Sequence, residues 1–265
     1  FVGDLINMEA SYIFKEFLER TIDTKNYESR SFDMFIDSSK RENYLFNSTI
    51  NGIEESDFIL LIGTNPRFEA TMLNARIRKA YVNNTTKIIS LNDVGDLTYP
   101  YQSLDGNTQT IKEITDNNSQ LSKDILESQK PLIVFGESFL RLKSADYLFY
   151  SVKNFLLKNN KFTEEWNPIN ILTSSAATVG SLDLDIIDPK NEVINKLNEN
   201  KYNLVFLLGQ DSLKFNKKDE FVIYIGSHGD NGAEIADLIL PGSAYTEQDG
   251  YYTNLEGKIQ KAYRA

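Results

Sequence analysis

Short, uninterrupted apolar runs recur along the chain, and most of them stop at a glycine or a polar turn. Asp57-Phe-Ile-Leu-Leu-Ile-Gly63 is the clearest, and Pro131-Leu-Ile-Val-Phe-Gly136, Leu204-Val-Phe-Leu-Leu-Gly209 and Phe221-Val-Ile-Tyr-Ile-Gly226 repeat the design. Lys87-Ile-Ile-Ser90 is a shorter version. A continuous run, unlike an alternating one, marks a strand covered on both faces, as in a parallel sheet flanked by helices. The closing glycine lets the chain turn sharply as it leaves the sheet.

Helical patterns fall between these runs. Ala10, Ile13, Phe14, Phe17 and Leu18 form one apolar stripe, with Lys15, Glu16, Glu19 and Arg20 on the other face. After Gly63, Asn65 has the chemistry of an N-cap and Pro66 suits a first helical turn. Ala70, Leu73, Ile77 and Ala80 then line one face, and Arg76, Arg78 and Lys79 lie toward the end that the helix dipole makes negative. Further helices are expected over Tyr147–Leu157 and Glu192–Asn198.

Strand and helix alternate, so the expected class is α/β with mostly parallel sheets. Two stretches interrupt the alternation. Residues 92–123 are polar, with a Tyr-Pro-Tyr turn and little strand character before a short helix near Ile111; residues 158–189 mix loop and short helix. The domain boundary is placed close to Glu127, giving a first α/β domain over residues 1–126 and a second over residues 127–265. The second ends in a short strand, Ala236–Gly242, stopped by Pro241, and a small hairpin whose turn signals are Asp249-Gly250 and Glu256-Gly257.

Composition narrows the chemistry. No apolar run approaches the roughly 18–20 residues of a membrane span. Twenty-eight basic residues against 38 acidic ones leave a net charge of −10, which disfavours nucleic acid and anionic lipid as partners. The chain has no cysteine, so disulfides, thiolate-ligated iron–sulfur clusters and cysteine nucleophiles cannot be built from it. Its one histidine, His228, rules out sites needing two or three imidazoles. The first residue is Phe1, with no signal-peptide or transit pattern before the folded sequence, which suggests a part of a longer polypeptide or a processed product.

Several candidate sites remain, each with a structural alternative that is the expectation. Gly226-Ser-His-Gly-Asp-Asn-Gly232 follows a strand and could cradle a phosphate, but its GxxGxxG spacing is not GxGxxG, and a structural turn is favoured. Gly63-Thr-Asn-Pro-Arg67 sits where α/β sheets bind ligands, and Arg67 with Arg76 could hold an anion; ordinary packing or ion pairing of Arg67 and Glu69 is favoured. His228 with Asp230 could be an acid–base pair, Asp183 with Asp185 or Glu54 with Glu55 a metal site, and Ser174-Ser175 a nucleophile. Loop and cap roles explain them more simply, and the serines lack a GxSxG elbow. The expectation is therefore no catalytic, cofactor-binding or metal-ligating residue in this chain.

Two long motifs carry a resemblance. Glu54-Glu-Ser-Asp-Phe-Ile-Leu-Leu-Ile-Gly-Thr-Asn-Pro-Arg-Phe-Glu-Ala-Thr-Met-Leu-Asn-Ala-Arg-Ile-Arg-Lys79 is one. The other is Gly226-Ser-His-Gly-Asp-Asn-Gly-Ala-Glu-Ile-Ala-Asp-Leu-Ile-Leu-Pro-Gly-Ser-Ala-Tyr-Thr-Glu247, continued by Tyr252-Thr-Asn-Leu-Glu-Gly257. With Val2-Gly-Asp-Leu5, Met8-Glu-Ala10 and Asn43–Ile50 in the same order, the chain resembles the large iron–sulfur subunits of respiratory complex I, loosely over residues 90–200. The resemblance implies a molybdopterin-oxidoreductase fold of two Rossmann-like α/β units from which the molybdenum cofactor is absent. It also implies iron–sulfur clusters in an N-terminal domain upstream of Phe1 or in a separate chain. The implied role is a non-catalytic scaffold in the peripheral arm, on the matrix side of the mitochondrial inner membrane. There it would meet other peripheral-arm subunits and the iron–sulfur domain of its own subunit. A molybdopterin-dependent oxidoreductase and a nucleotide-binding Rossmann-like enzyme are the alternatives.

Overall fold

The computed structural model describes residues 1–117 and 119–265. The chain divides into two compact units, one made of Phe1–Asp33 with Ser175–Ala265, the other of Met34–Ser174. Helix α1 (Met8–Arg20) opens the first of these. Asn7 caps it by accepting a hydrogen bond from the Ala10 amide at 2.8 Å. Its buried residues are Ser11, Phe14 and Leu18, whereas Ile13 is 65% and Phe17 37% exposed. The expected stripe is thus corrected: Phe14 and Leu18 are buried, Phe17 is half-exposed with its ring 6.0 Å from that of Phe206, and Ile13 lies a step round the helix.

The continuous unit holds β1 (Phe58–Ile62), α2 (Pro66–Glu69), α3 (Thr71–Asn84), β2 (Lys87–Leu91) and β3 (Gln102–Leu104), then α4 (Thr108–Glu113) and α5 (Gln120–Glu127). It closes with β4 (Pro131–Gly136), α6 (Glu137–Leu140), α7 (Ala145–Lys158) and β5 (Ile169–Leu172). The five strands pair in parallel in the order β3-β2-β1-β4-β5. Every residue of β1 and β4 is buried, as continuous apolar runs covered on both faces must be. The polar stretch after Asn92 nevertheless supplies β3, a short edge strand whose residues need little burial.

The boundary expected at Glu127 is corrected by this sheet. β4 pairs residue by residue with β1, from Phe58 against Pro131 to Ile62 against Phe135, so a division there would cut between two central strands. The polar stretch that suggested it carries β3, α4 and the start of α5 and is not a linker.

The chain then rejoins the first unit through α8 (Thr178–Asp183), α9 (Glu192–Asn198), β6 (Leu204–Leu208), β7 (Phe221–Gly226), α10 (Asn231–Glu234) and β8 (Leu238–Pro241). A hairpin of β9 (Gly250–Thr253) and β10 (Ile259–Ala262) follows. β6, β7 and β8 form a parallel sheet in sequence order. Val205, Leu207, Val222 and Tyr224 pack with Val193, Ile194 and Leu197 of α9. Leu208, with Phe206 and Ile225, packs with Phe14 and Leu18 of α1 on the opposite face. The class is α/β, with parallel sheets flanked by helices.

Candidate functional site

In an open parallel sheet, ligands bind outside the carboxyl ends of the strands where the strand order reverses. In the continuous unit that place is the pair β1 and β4, which end at Gly63 and Gly136. Gly63 has φ +65°, and a Cβ there would collide with the amide nitrogen of Phe139. The Ser138 amide donates to the Gly63 carbonyl at 3.2 Å. The two strand ends are therefore packed against each other.

The polar donors there are already used. The Thr64 hydroxyl donates to Glu69 Oε2 at 2.6 Å and the Asn65 amide to Glu69 Oε1 at 2.9 Å. Asn65 caps α2 as expected, accepting from the Arg67 amide at 3.2 Å. After β4, Glu137 Oε1 accepts from both the amide (2.8 Å) and the hydroxyl (2.6 Å) of Ser174. Each loop thus holds a carboxylate of its own where an anionic ligand would need free N–H and O–H groups.

The two arginines do not converge on an anion. Arg67 pairs with Asp96 at 2.6 Å, and the Thr98 amide, then Arg67, hold the Asp96 carboxyl below its ordinary range. Arg76 pairs with Glu54, which Lys79 joins at 2.8 Å; Lys79 first and Arg76 second lower its pKa. Both cations lie within α3, which runs on to Asn84, so their partner is a carboxylate rather than the helix dipole. Glu55 pairs with Lys130 at 2.5 Å, so Glu54 and Glu55 face different cations.

The glycine-rich loop after β7 repeats the arrangement. Asp211 accepts from the Tyr224 hydroxyl at 3.0 Å and from the Gly232 amide at 3.1 Å. One amide of the loop, that of Gly232, is therefore bonded to a carboxylate. Burial, then the bond to Asp211, push the Tyr224 phenol up to about 12, so it remains a neutral donor. A Cβ on Gly232 would lie 2.6 Å from the Tyr224 ring and from the Gln210 carbonyl. The last glycine is thus needed for packing. His228 Nδ1 contacts the Ser227 hydroxyl at 2.8 Å rather than Asp230, which begins α10.

The remaining candidates make the following contacts. Ser174 is held on Glu137, whereas the Ser175 hydroxyl donates to the Asp4 carbonyl at 3.4 Å, with Ser175 and Asp4 both within the discontinuous unit. Asp185 lies 4.0 Å from Lys15. Among the described residues no group of three or more His, Cys, Asp or Glu side chains could hold a metal ion. Sequence reasoning overlooked Glu137 and Asp211 and gave Glu69 ordinary packing or ion pairing rather than bonds to the loop. The available signal was an acidic residue within six positions of each strand-ending glycine, Gly63, Gly136 and Gly209.

The family model described as "Molybdopterin oxidoreductase" matches residues 1–265. The chain is 37% identical over 279 residues to the NADH-ubiquinone oxidoreductase 75 kDa subunit of Reclinomonas americana, covering 100% of this chain and 40% of that one. It is 35% identical over 266 residues to an NADH-quinone oxidoreductase subunit of Rickettsia bellii (strain RML369-C), with coverage of 100% and 38%. It is also 36% identical over 268 residues to the mitochondrial NADH-ubiquinone oxidoreductase 78 kDa subunit of Candida albicans (strain SC5314 / ATCC MYA-2876), with coverage of 97% and 35%. The chain therefore spans 35–40% of the length of these relatives. A phosphate-bearing pterin needs donors at the strand ends, where the Asn65, Ser174 and Gly232 amides are bonded to Glu69, Glu137 and Asp211. The chain has no cysteine to ligate the metal of such a group.

Proposed function

Because the chain belongs to the molybdopterin oxidoreductase family, we propose that it is a cofactor-free, non-catalytic branch of that fold, working as a scaffold portion of the large iron–sulfur subunit of respiratory NADH:quinone oxidoreductase. The observation that carries this reading is the set of carboxylates, Glu69, Glu137 and Asp211, bonded to the donors at the strand ends. Alignment of all or nearly all of the chain with three subunits named for that oxidoreductase supports the assembly.

In this role the chain moves no electrons. It presents two rigid α/β units to neighbouring peripheral-arm subunits, including the iron–sulfur domain of the same subunit, and so helps keep electron carriers at fixed separations. The iron–sulfur clusters belong to the part of the subunit outside this chain, or to a separate chain. The named relatives are mitochondrial and bacterial, and the proposed location is the matrix side of the mitochondrial inner membrane. No helix among the described residues is long and apolar enough to cross a membrane, which suits a peripheral position.

Gentle solubilisation and native electrophoresis, followed by metal analysis of the isolated chain, test the proposal. The expected outcome is co-migration with NADH-oxidising activity and no stoichiometric molybdenum or iron in the chain itself. Migration only as a free monomer would sink the assembly. Stoichiometric molybdenum would instead promote the second reading, a molybdopterin-dependent oxidoreductase, which the family description favours.

A further inference from the structure

The two edges of the three-stranded sheet differ. Along β6, Val2 forms a parallel bridge with Leu208, with the Gly3 amide donating to the Leu208 carbonyl at 2.8 Å and the Leu208 amide to the Phe1 carbonyl at 2.9 Å. At the other edge, β8 has no strand beyond it. Its apolar side chains are open on both faces: Leu238 is 41%, Ile239 51% and Leu240 42% exposed. The Asp237 amide donates to the Val222 carbonyl of β7 at 2.8 Å. By the period of two along a strand, Leu238 and Leu240 then turn their amides and carbonyls away from β7.

A bare apolar strand edge is a template for another strand, and folded proteins ordinarily blunt it with lysines, proline or a covering segment. Here only Pro241 at the far end does so. The sequence around the edge is acidic. Between Lys218 and Lys258 lie eight acidic residues and no lysine or arginine. Glu234 and Glu247 flank β8 and are exposed, while Asp237 is paired with Lys217 at 2.7 Å.

We propose that the open edge of β8 is a docking strand for an extended, basic segment of a partner protein. The partner's main chain bonds to Leu238 and Leu240, its apolar side chains cover Leu238–Leu240, and its lysines or arginines face Glu234 and Glu247. This partner is defined by its chemistry and does not presuppose the assembly proposed above.

The test titrates the whole chain with two fluorescent peptides, one alternating valine with lysine and the other valine with glutamate, and maps binding by amide hydrogen exchange. The lysine peptide is expected to bind at least about tenfold tighter and to slow exchange at Leu238 and Leu240. The double variant Leu238→Lys/Leu240→Lys changes only exposed side chains and should lose about tenfold of that affinity at an unchanged melting temperature. If the double variant fails to fold, Ile239→Lys replaces it. Equal affinity for both peptides, protection elsewhere on the acidic surface, or undiminished binding by the variant would each overturn the proposal. Self-association that protects the same amides would assign the edge to a second copy and overturn it too. None of these failures bears on co-migration or metal content, which judge the assembly separately.

Discussion

Glu28 is fully buried and sits against Arg30, with a 2.6 Å ion pair between them. The carboxylate also accepts from the Arg30 Nε at 3.0 Å and from the backbone amides of Ser29, Arg30 and Asp188 at 2.9, 2.9 and 3.1 Å. Arg30 in turn donates to the Asp188 carbonyl. This pair ties the segment after α1 to the one before α9. Removing one charge from such a buried pair leaves the other uncompensated, at a cost of about 3–5 kcal/mol. Glu28→Gln keeps the shape and is expected to lose stability on that scale in urea unfolding; a loss no larger than a surface substitution gives would refute the latch. Other residues set the pH limits. Burial pushes the Asp57 carboxyl up, but bonds from Ser128 and the amides of Gln129 and Lys130 outweigh it and hold it below 3.8. Burial first, and bonds to Asp37 and Asp211 second, push the phenols of Tyr150 and Tyr224 up to about 12. A depressed carboxyl stabilises above its unfolded value and loses that contribution as pH falls through its folded value. A raised phenol stabilises below its unfolded value and loses that contribution as pH rises through its folded value. The contributions of these carboxyl and phenol groups should therefore be lost below about pH 4 and between about pH 10 and 12, read as a falling melting temperature. A melting temperature that does not change between about pH 10 and 12 would contradict this assignment.

Among the elements, α3 shows how a local choice limits stability. Its C-cap is Thr85, at φ 54° and ψ 32° in the left-handed region, where a β-branched side chain is strained and glycine is not. Thr85→Gly is expected to raise stability by about 0.5–1 kcal/mol, read as a higher melting temperature. A lower one would mean that the Thr85 hydroxyl bond to the Asn84 carbonyl outweighs the strain. Other elements were legible to differing degrees. The continuous runs at Phe58 and Pro131 are the buried strands they resemble, and α9 spans Glu192–Asn198 as its pattern indicates. The stripe of α1 was read too broadly, because apolar spacing alone does not tell which of two adjacent rows meets the sheet. β3 was missed because Gln102–Leu104 lies at an edge with little burial to leave a pattern.

For the molecule as a whole, the discontinuous division has a direct consequence. Met34–Ser174 contains all five strands of its sheet and the helices between them. Residues 34–174 alone are expected to unfold in a single cooperative transition with α/β circular dichroism. A chain ending at residue 126 lacks β4 and β5, so β1 loses a central neighbour, and it should give no such transition. Equal cooperativity in both would contradict the division. The net charge of −10 also belongs to this scale, because it biases which partners approach without deciding the fold.

The one-dimensional pattern by itself determined the α/β class, the central strands and several helices, because burial on both faces imprints continuous apolar runs and helices imprint a 3.6-residue period. Composition by itself determined that no thiolate-ligated centre can be built from this chain. Tertiary structure alone decided which strands are neighbours, hence that β4 joins β1 and that Phe1–Asp33 folds with Ser175–Ala265. It also decided what the glycine-ended loops do. Glu69 lies six residues beyond Gly63, while Asp211 reaches Gly232 across 21 positions, and whether such a carboxylate bonds the loop or faces water depends on chain packing. The same holds for β8, whose apolar run reads as a covered strand until the sheet order places it at an edge. Periodicity records how much of a segment is buried within its own chain; it does not record the neighbour.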